Sequence, residues 1–164
     1  MSKNVFFIST NLEINYFSKK KILAGNWCFE NFNKLANDDI ELIGDLWEDQ
    51  NIRSSDYEYL DKLINLYSEK LFFYMNSFSN ENFSPRFWNI LLMPWLTIYL
   101  PSQYYRWKVI KEVIRKEKYF NFYSLINLDE AMDTIDTLDY YDSISKSQEF
   151  NYKHFRRMLE YHNE

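Results

Sequence analysis

The chain has 164 residues, 46% hydrophobic and 26% charged, which is enough for one packed domain and too apolar for a disordered segment. A formal net charge of -5 gives no overall pull toward nucleic acid or anionic lipid, and a single cysteine, Cys28, excludes an internal disulfide framework and fits a reducing cytosol. With 20% aromatic residues but only 2 Gly and 3 Pro, the composition favours long regular elements over tight turns.

Three short apolar runs open the chain: Val5–Ser9 (VFFIS), Lys21–Ala24 (KILA) and Ile40–Ile43 (IELI). The first two are continuous and end in small or polar residues, as expected of strands buried on both faces. The segment NWCFENFNKLANDD between the second and third reads as a short helix, so the opening is βαβ-like and predicts a small parallel, Rossmann-like sheet of three to four strands. The apolar stretch at the N-terminus is too short for a signal-peptide core.

From residue 55 the pattern turns helical. Ser55-Asp56-Tyr57-Glu58 has capping-box spacing, and Tyr57, Leu60, Ile64, Tyr67, Leu71, Met75 and Phe78 then recur at steps of three and four, predicting one apolar face. The run FSPRFWNILLMPWLTIYL (83–100) is shorter than the roughly 20 apolar residues of a membrane span and is bracketed by Arg86 and Arg106. It reads as a core helix with Pro85 in its first turn, a kink at Pro94 and a stop at Pro101. Its wide face would carry Trp88, Leu91, Leu92, Trp95 and Ile98. A basic helix capped by Ser102 follows, with Tyr105, Val109, Ile110 and Val113 inward, and then an aromatic run, YFNFYSLI (119–126), that reads as a fourth strand. The remainder predicts an acidic helix and a last helix capped by Asn151, with Tyr152, Phe155 and Leu159 on one side. The predicted class is therefore α/β, a small sheet with a predominantly helical remainder.

Several chemistries are excluded by the residues. Two glycines cannot form a G-x-G-x-x-G turn or a P-loop, and there is no Cys pair, no H-E-x-x-H and no D-x-D. Asp133, Asp136, Asp139 and Asp142 drift around a helix at a spacing of three, so they form a solvated face rather than a metal ladder. No metal site is expected, and Cys28, with no partner histidine evident, is expected to be an inert buried thiol.

In an open parallel sheet, ligands bind beyond the carboxyl ends of the strands. Here those ends are Ser9-Thr10-Asn11, Gly25-Asn26-Trp27-Cys28 and Gly44-Asp45-Leu46-Trp47-Glu48-Asp49, which hold both glycines of the chain. Trp27 and Trp47 offer flat faces for a sugar or base ring, and Asn26, Glu48 and Asp49 offer polar contacts. The alternative is that the tryptophans plug the core and the glycines only turn the chain.

Five fragments in order, with a looser sixth in the tail, resemble one family, the bacterial transferases associated with O-antigen and other surface-carbohydrate biosynthesis. They are FFISTNLE; LAGNWCF, against a Gly-Glu-Trp-Cys signature; DLWEDQNIR, against a His-Trp-Asp-Asp segment; DYEYLDKL; SPRFWNILLMPWL, against Ser-x-Arg-(Tyr/Phe)-Trp-x-Ile-x-x-x-Pro-Trp-Leu; and, more loosely, LDYYDSISKSQEFNYKHF. The likeness is densest over residues 5–106. Asn26 stands where the family has an acidic residue, and Leu46 where it has histidine.

The resemblance implies a glycosyltransferase-like protein several times longer, with this chain as a single N-terminal, acceptor-side domain (1–164) that is inactive alone. The final RRMLEYHNE, ending in or just after a helix, fits that expectation. The whole enzyme would move a sugar from a nucleotide-sugar donor, bound by a downstream half, to a glycan or lipid-linked saccharide acceptor, with no cofactor held by this chain. Expected acceptor contacts are Thr10, Asn11, Gly25, Asn26, Trp27, Trp47 and Asp49. Arg53 and Arg86 are candidates to grip a phosphate or carboxylate, with salt bridges to Asp49 or Asp56 as the alternative. No catalytic residue is identified. A cytoplasmic location is expected, at the inner face of the bacterial inner membrane. The competing reading is a non-enzymatic interaction or peripheral membrane module acting through the basic segment 106–118, RWKVIKEVIRKEK.

Overall fold

A computed structural model describes residues 5–16, 20–28, 39–122 and 133–163. These form two units, described separately: one built from 1–46 and 106–164, the other from 47–105.

The first unit holds the sheet. Strands β1 (Phe6–Ile8), β2 (Lys21–Leu23) and β3 (Ile40–Leu42) lie side by side in that order, all parallel. Phe6 is level with Lys21 and Ile40, and Ile8 with Leu23 and Leu42. The three apolar runs are thus the strands expected of them. The fourth expected strand contributes one parallel bridge, with the Asn121 amide donating to Val5 O at 2.8 Å and the Asn121 carbonyl accepting from Phe7 N at 2.9 Å. Its residues from 123 on, positions 29–38 of the helix expected in NWCFENFNKLANDD (26–39), and 129–132 of the acidic segment lie outside the described residues.

Phe7, Ile8, Ile22 and Leu23 are fully buried, as are Val109, Ile110, Val113, Tyr152 and Phe155. The Phe7 ring meets Phe155 edge-on at 5.8 Å, and Phe122 stacks on Tyr152 at 5.5 Å. At about 1.5–3 kcal/mol per fully buried large side chain, this cluster is the main source of the unit's stability. At the β3 side, Lys116 pairs with Glu41 at 2.5 Å and Lys20 with Glu117 at 2.8 Å. Arg115 is held by Glu112, and Arg106 by Asn151. Three cations of the basic stretch, Arg106, Arg115 and Lys116, therefore have partners within the unit.

Two short helices finish this unit, α3 (Thr137–Lys146) and α4 (Gln148–Asn163). Asp136 caps α3 by accepting from the amides of Leu138 and Asp139, and Asp142 pairs with Lys146, so these members of the aspartate series serve the helix. The inward set Tyr152, Phe155 and Leu159 of α4 is as expected. The cap is not. Ser147 Oγ accepts from the Phe150 amide, and Asn151 lies inside the helix, donating to the carbonyls of Ile144 and Ser147.

The second unit is a helical hairpin. Helix α1 runs Gln50–Ser79, and α2 runs Pro85–Lys116, of which residues up to 105 belong here. Helix α1 begins five residues before the expected cap at Ser55, because the Asp49 carboxylate accepts from the amides of Asn51 (2.8 Å) and Ile52 (3.3 Å). Its buried row is Asp56, Leu60, Ile64, Ser68 and Phe72, every fourth residue, whereas Tyr57, Tyr67 and Phe78 of the expected face are exposed. Asn80, at φ 55°, closes the helix in the left-handed region that asparagine tolerates.

Helix α2 starts at Pro85 as expected, with Ser84 Oγ accepting from the Phe87 amide. It does not stop at Pro101 but continues to Lys116. An interior proline costs roughly 3 kcal/mol. Burial of Trp88 and Leu96 before it and Val109, Ile110 and Val113 after it outweighs that cost. Leu91, expected inward, is exposed.

Candidate functional site

The carboxyl ends of β1 and β2 lead into two 3-10 turns, Asn11–Tyr16 and Asn26–Cys28. In the first, Glu13 folds back beneath the strand end. Its Oε2 accepts from Ser9 N (2.8 Å), Ser9 Oγ (2.6 Å), Thr10 N (3.0 Å) and Thr10 Oγ1 (3.4 Å). Ser9, Thr10 and Glu13 are fully buried, and among the described residues Glu13 Oε1 has no hydrogen-bond partner. Burial pushes the carboxyl up to about 7, with the bonds from Ser9 and Thr10 pulling the other way. The group is therefore poised to carry a proton at neutral pH. Its full burial makes it a positioning residue for the Ser9–Thr10 turn rather than a group that meets a substrate.

The second turn sets Trp27 above this cradle. The indole Nε1 donates to Ser9 O at 3.0 Å, and its six-membered ring lies against Gly25, where a Cβ would overlap it. Gly25 is thus required by the protein's own indole, while Gly44 has open space around it. Trp27 remains 40% exposed. Cys28 donates to Ile8 O at 3.4 Å, and burial raises its thiol to about 12, so it is inert as a nucleophile.

Of the residues expected to line a cleft, Thr10, Asn11, Gly25, Asn26 and Trp27 do gather on this sheet edge. Thr10 and Gly25 are covered, Asn11 donates its amide to Gln148 Oε1 at 3.3 Å, and Asn26 and Trp27 face solvent.

Trp47, Asp49, Arg53 and Arg86 belong to the helical unit. Trp47 stacks on Tyr57 at 5.5 Å, meets Tyr105 edge-on at 4.8 Å, and donates Nε1 to Asp56 Oδ2 at 2.7 Å. Tyr104 donates to the other oxygen of Asp56 at 3.0 Å, and burial, with that bond, pushes its phenol up to about 12. Trp47 is therefore a packed residue of the hairpin base, and Asp49 is the helix cap. Arg53 and Arg86 are exposed and, among the described residues, have no ion pair. Arg53 lies in the first turn of α1, whereas Arg86 follows the turn that Asn76 holds through Phe83 and Trp88. Residues 53 and 76 are about 35 Å apart at about 1.5 Å per residue, so the two arginines cannot grip one phosphate.

Sequence reasoning passed over Glu13 and named Asp56 only as a salt-bridge partner for the arginines. Glu13 had a signal: Thr10-x-x-Glu13 has the same capping-box spacing as Ser55-x-x-Glu58. Asp56 had none, since nothing local marks a buried aspartate between two aromatic donors. Among the described residues no group of His, Cys, Asp or Glu could hold a metal, and no helix is long and apolar enough to cross a membrane.

A family model described as LIC12162 family transferase matches residues 5–164. No curated protein and no solved structure matches the chain.

Proposed function

The chain belongs to the LIC12162 family of transferases, and from that premise we propose that it is the acceptor-holding portion of a sugar transferase of bacterial surface-polysaccharide (O-antigen) assembly. The observation that carries the reading is Trp27. Its indole is fixed by Ser9 O and Gly25 at the carboxyl edge of a parallel sheet, yet keeps 40% of its surface in solvent. A rigid aromatic face next to polar Asn11 and Asn26 suits a saccharide ring, whose C–H face stacks while its hydroxyls take hydrogen bonds. The acceptor is a glycan or lipid-linked saccharide. The nucleotide-sugar donor is held by a further half of a longer enzyme, because two glycines leave no phosphate cradle in these 164 residues. The chain works at the cytoplasmic face of the inner membrane and does not transfer sugar alone.

Titration with neutral glycans and with a sugar nucleotide, followed by tryptophan emission, tests the proposal. Glycans should change the emission of the wild type more than that of Trp27→Phe, the difference reporting the sheet edge, and the sugar nucleotide should change neither. Silence with glycans at millimolar concentration, together with binding to anionic vesicles, would overturn it in favour of a peripheral membrane module. Sugar transfer by the isolated chain would overturn the division of labour.

A further inference from the structure

The helical unit carries a cleft of about 680 Å³ where the end of α1 meets the start of α2. That volume is within the roughly 300–1,000 Å³ of small-molecule sites. Its lining has an unusual chemistry. Three carboxamides, Asn65, Asn82 and Asn89, are exposed and make no side-chain hydrogen bond among the described residues. They stand with the Glu69 carboxylate and the rings of Phe73 and Phe83, and no cation lines the cleft. Phe73 is 80% exposed, far more than a ring kept for packing.

From this set we propose that the cleft is a saccharide-binding subsite, separate from the sheet edge, for a neutral oligosaccharide. A carboxamide offers two donors and an acceptor side by side, which matches neighbouring sugar hydroxyls, and a carboxylate accepts from a hydroxyl pair. The phenyl faces take the C–H side of a pyranose. The lining holds no Lys, Arg or His and does hold the Glu69 carboxylate, which outweighs the start of α2 at Pro85 and argues against a phosphate. The floor is built to be rigid. Asn76 exchanges two 3.0 Å bonds with the backbone of Phe83 and accepts from Trp88 Nε1 at 2.7 Å, and Phe83 meets Trp88 edge-on at 5.7 Å. The wall carrying Phe83 is thus fixed before any ligand arrives, which lowers the entropic cost of binding. The inference extends the sugar-transferase reading to a second place on the chain and rests on it only for the identity of the polymer.

Proton–nitrogen correlation spectra of the full 164-residue chain test it, with a neutral glucose oligomer and an N-acetylglucosamine oligomer as probes and inorganic pyrophosphate as the control. Saturable shifts are expected for the side-chain amides of Asn65, Asn82 and Asn89 and the indole of Trp88, with none from pyrophosphate. Asn82→Ala with Asn89→Ala should weaken binding about tenfold, two hydrogen bonds being lost. Phe73→Ala should weaken it similarly, and its exposed position leaves folding intact. No shift with either oligomer at millimolar concentration, or shifts that survive these substitutions, would overturn the cleft. Shifts confined to Asn26 and Trp27 would overturn it while supporting the sheet-edge acceptor site, and shifts confined to the cleft would do the reverse.

Discussion

The Ser9 hydroxyl donates to Glu13 Oε2 over 2.6 Å, and the Ser9 amide donates to the same oxygen over 2.8 Å. One carboxylate oxygen thereby fixes the turn that Trp27 caps, at the cost of a buried acid.

That cost is readable as a pH dependence. Burial raises the Glu13 pKa from 4.5 to about 7, so the folded chain holds a proton that the unfolded chain releases earlier. The associated stability is complete below 4.5 and is lost as pH rises through about 7. At about 1.4 kcal/mol per unit, the loss is about 3 kcal/mol. Glu13→Gln, which cannot ionise, should lose less stability between about pH 5 and about pH 8 than the wild type in urea unfolding. Parallel losses would mean that Glu13 is ionised throughout.

His154 has the opposite sign. Burial, aided by the charges of Arg106 and Arg157, lowers its pKa from 6.5 to about 4. Its contribution is present above 6.5 and is lost as pH falls toward 4. The two groups therefore offset each other over most of that range. His154→Phe, placed between the rings of Tyr140 and Phe150, should unmask the Glu13 slope, so that melting temperature falls steadily with rising pH. A melting profile unchanged from wild type counts against a neutral, half-buried His154.

Asp56 joins Trp47 and Tyr104 at the base of the hairpin. Asp56→Ala strands both donors and should cost about 3 kcal/mol or more, while Tyr104→Phe, which removes one bond, should cost about 1.5 kcal/mol. Urea unfolding of both variants checks the ratio. A loss below about 1 kcal/mol for Asp56→Ala would show that water replaces the carboxylate.

Pro94 is an exposed ring inside α2 and denies the Ile90 carbonyl its backbone donor. Pro94→Ala restores that donor and should stabilise the hairpin by about 1–3 kcal/mol, read as a higher melting temperature. A decrease would mean that the bond Thr97 Oγ1 donates to Met93 O depends on the proline's local geometry.

Strands β1 and β2 were legible because their runs are mostly apolar, which is what burial on both faces of a sheet demands, while β3 carries Glu41 and leaves Leu42 exposed. Boundaries set by single polar side chains were less so. Asp49 rather than Ser55 starts α1, because the intervening QNIRS is exposed on all sides and leaves no periodic trace. Pro101 looks like a stop in isolation, yet packing on either side of it carries the helix through. The sheet-edge cluster of Asn26 and Trp27 followed from topology. The asparagines of the helical cleft did not, since residues 65, 82 and 89 are brought together only when the chain reverses at Asn80.

Asn121 bridges to β1, and Phe155 packs on Phe7, its partner 148 positions earlier in the chain. The hairpin 47–105, by contrast, is one uninterrupted segment. Order of synthesis and order of assembly therefore diverge: the strands emerge first and must wait for the last helix, while the hairpin closes from neighbouring segments. During refolding, amides near Leu60 and Ile64 should gain hydrogen-exchange protection before those of Phe7 and Ile8. The reverse order would place the nucleus in the sheet.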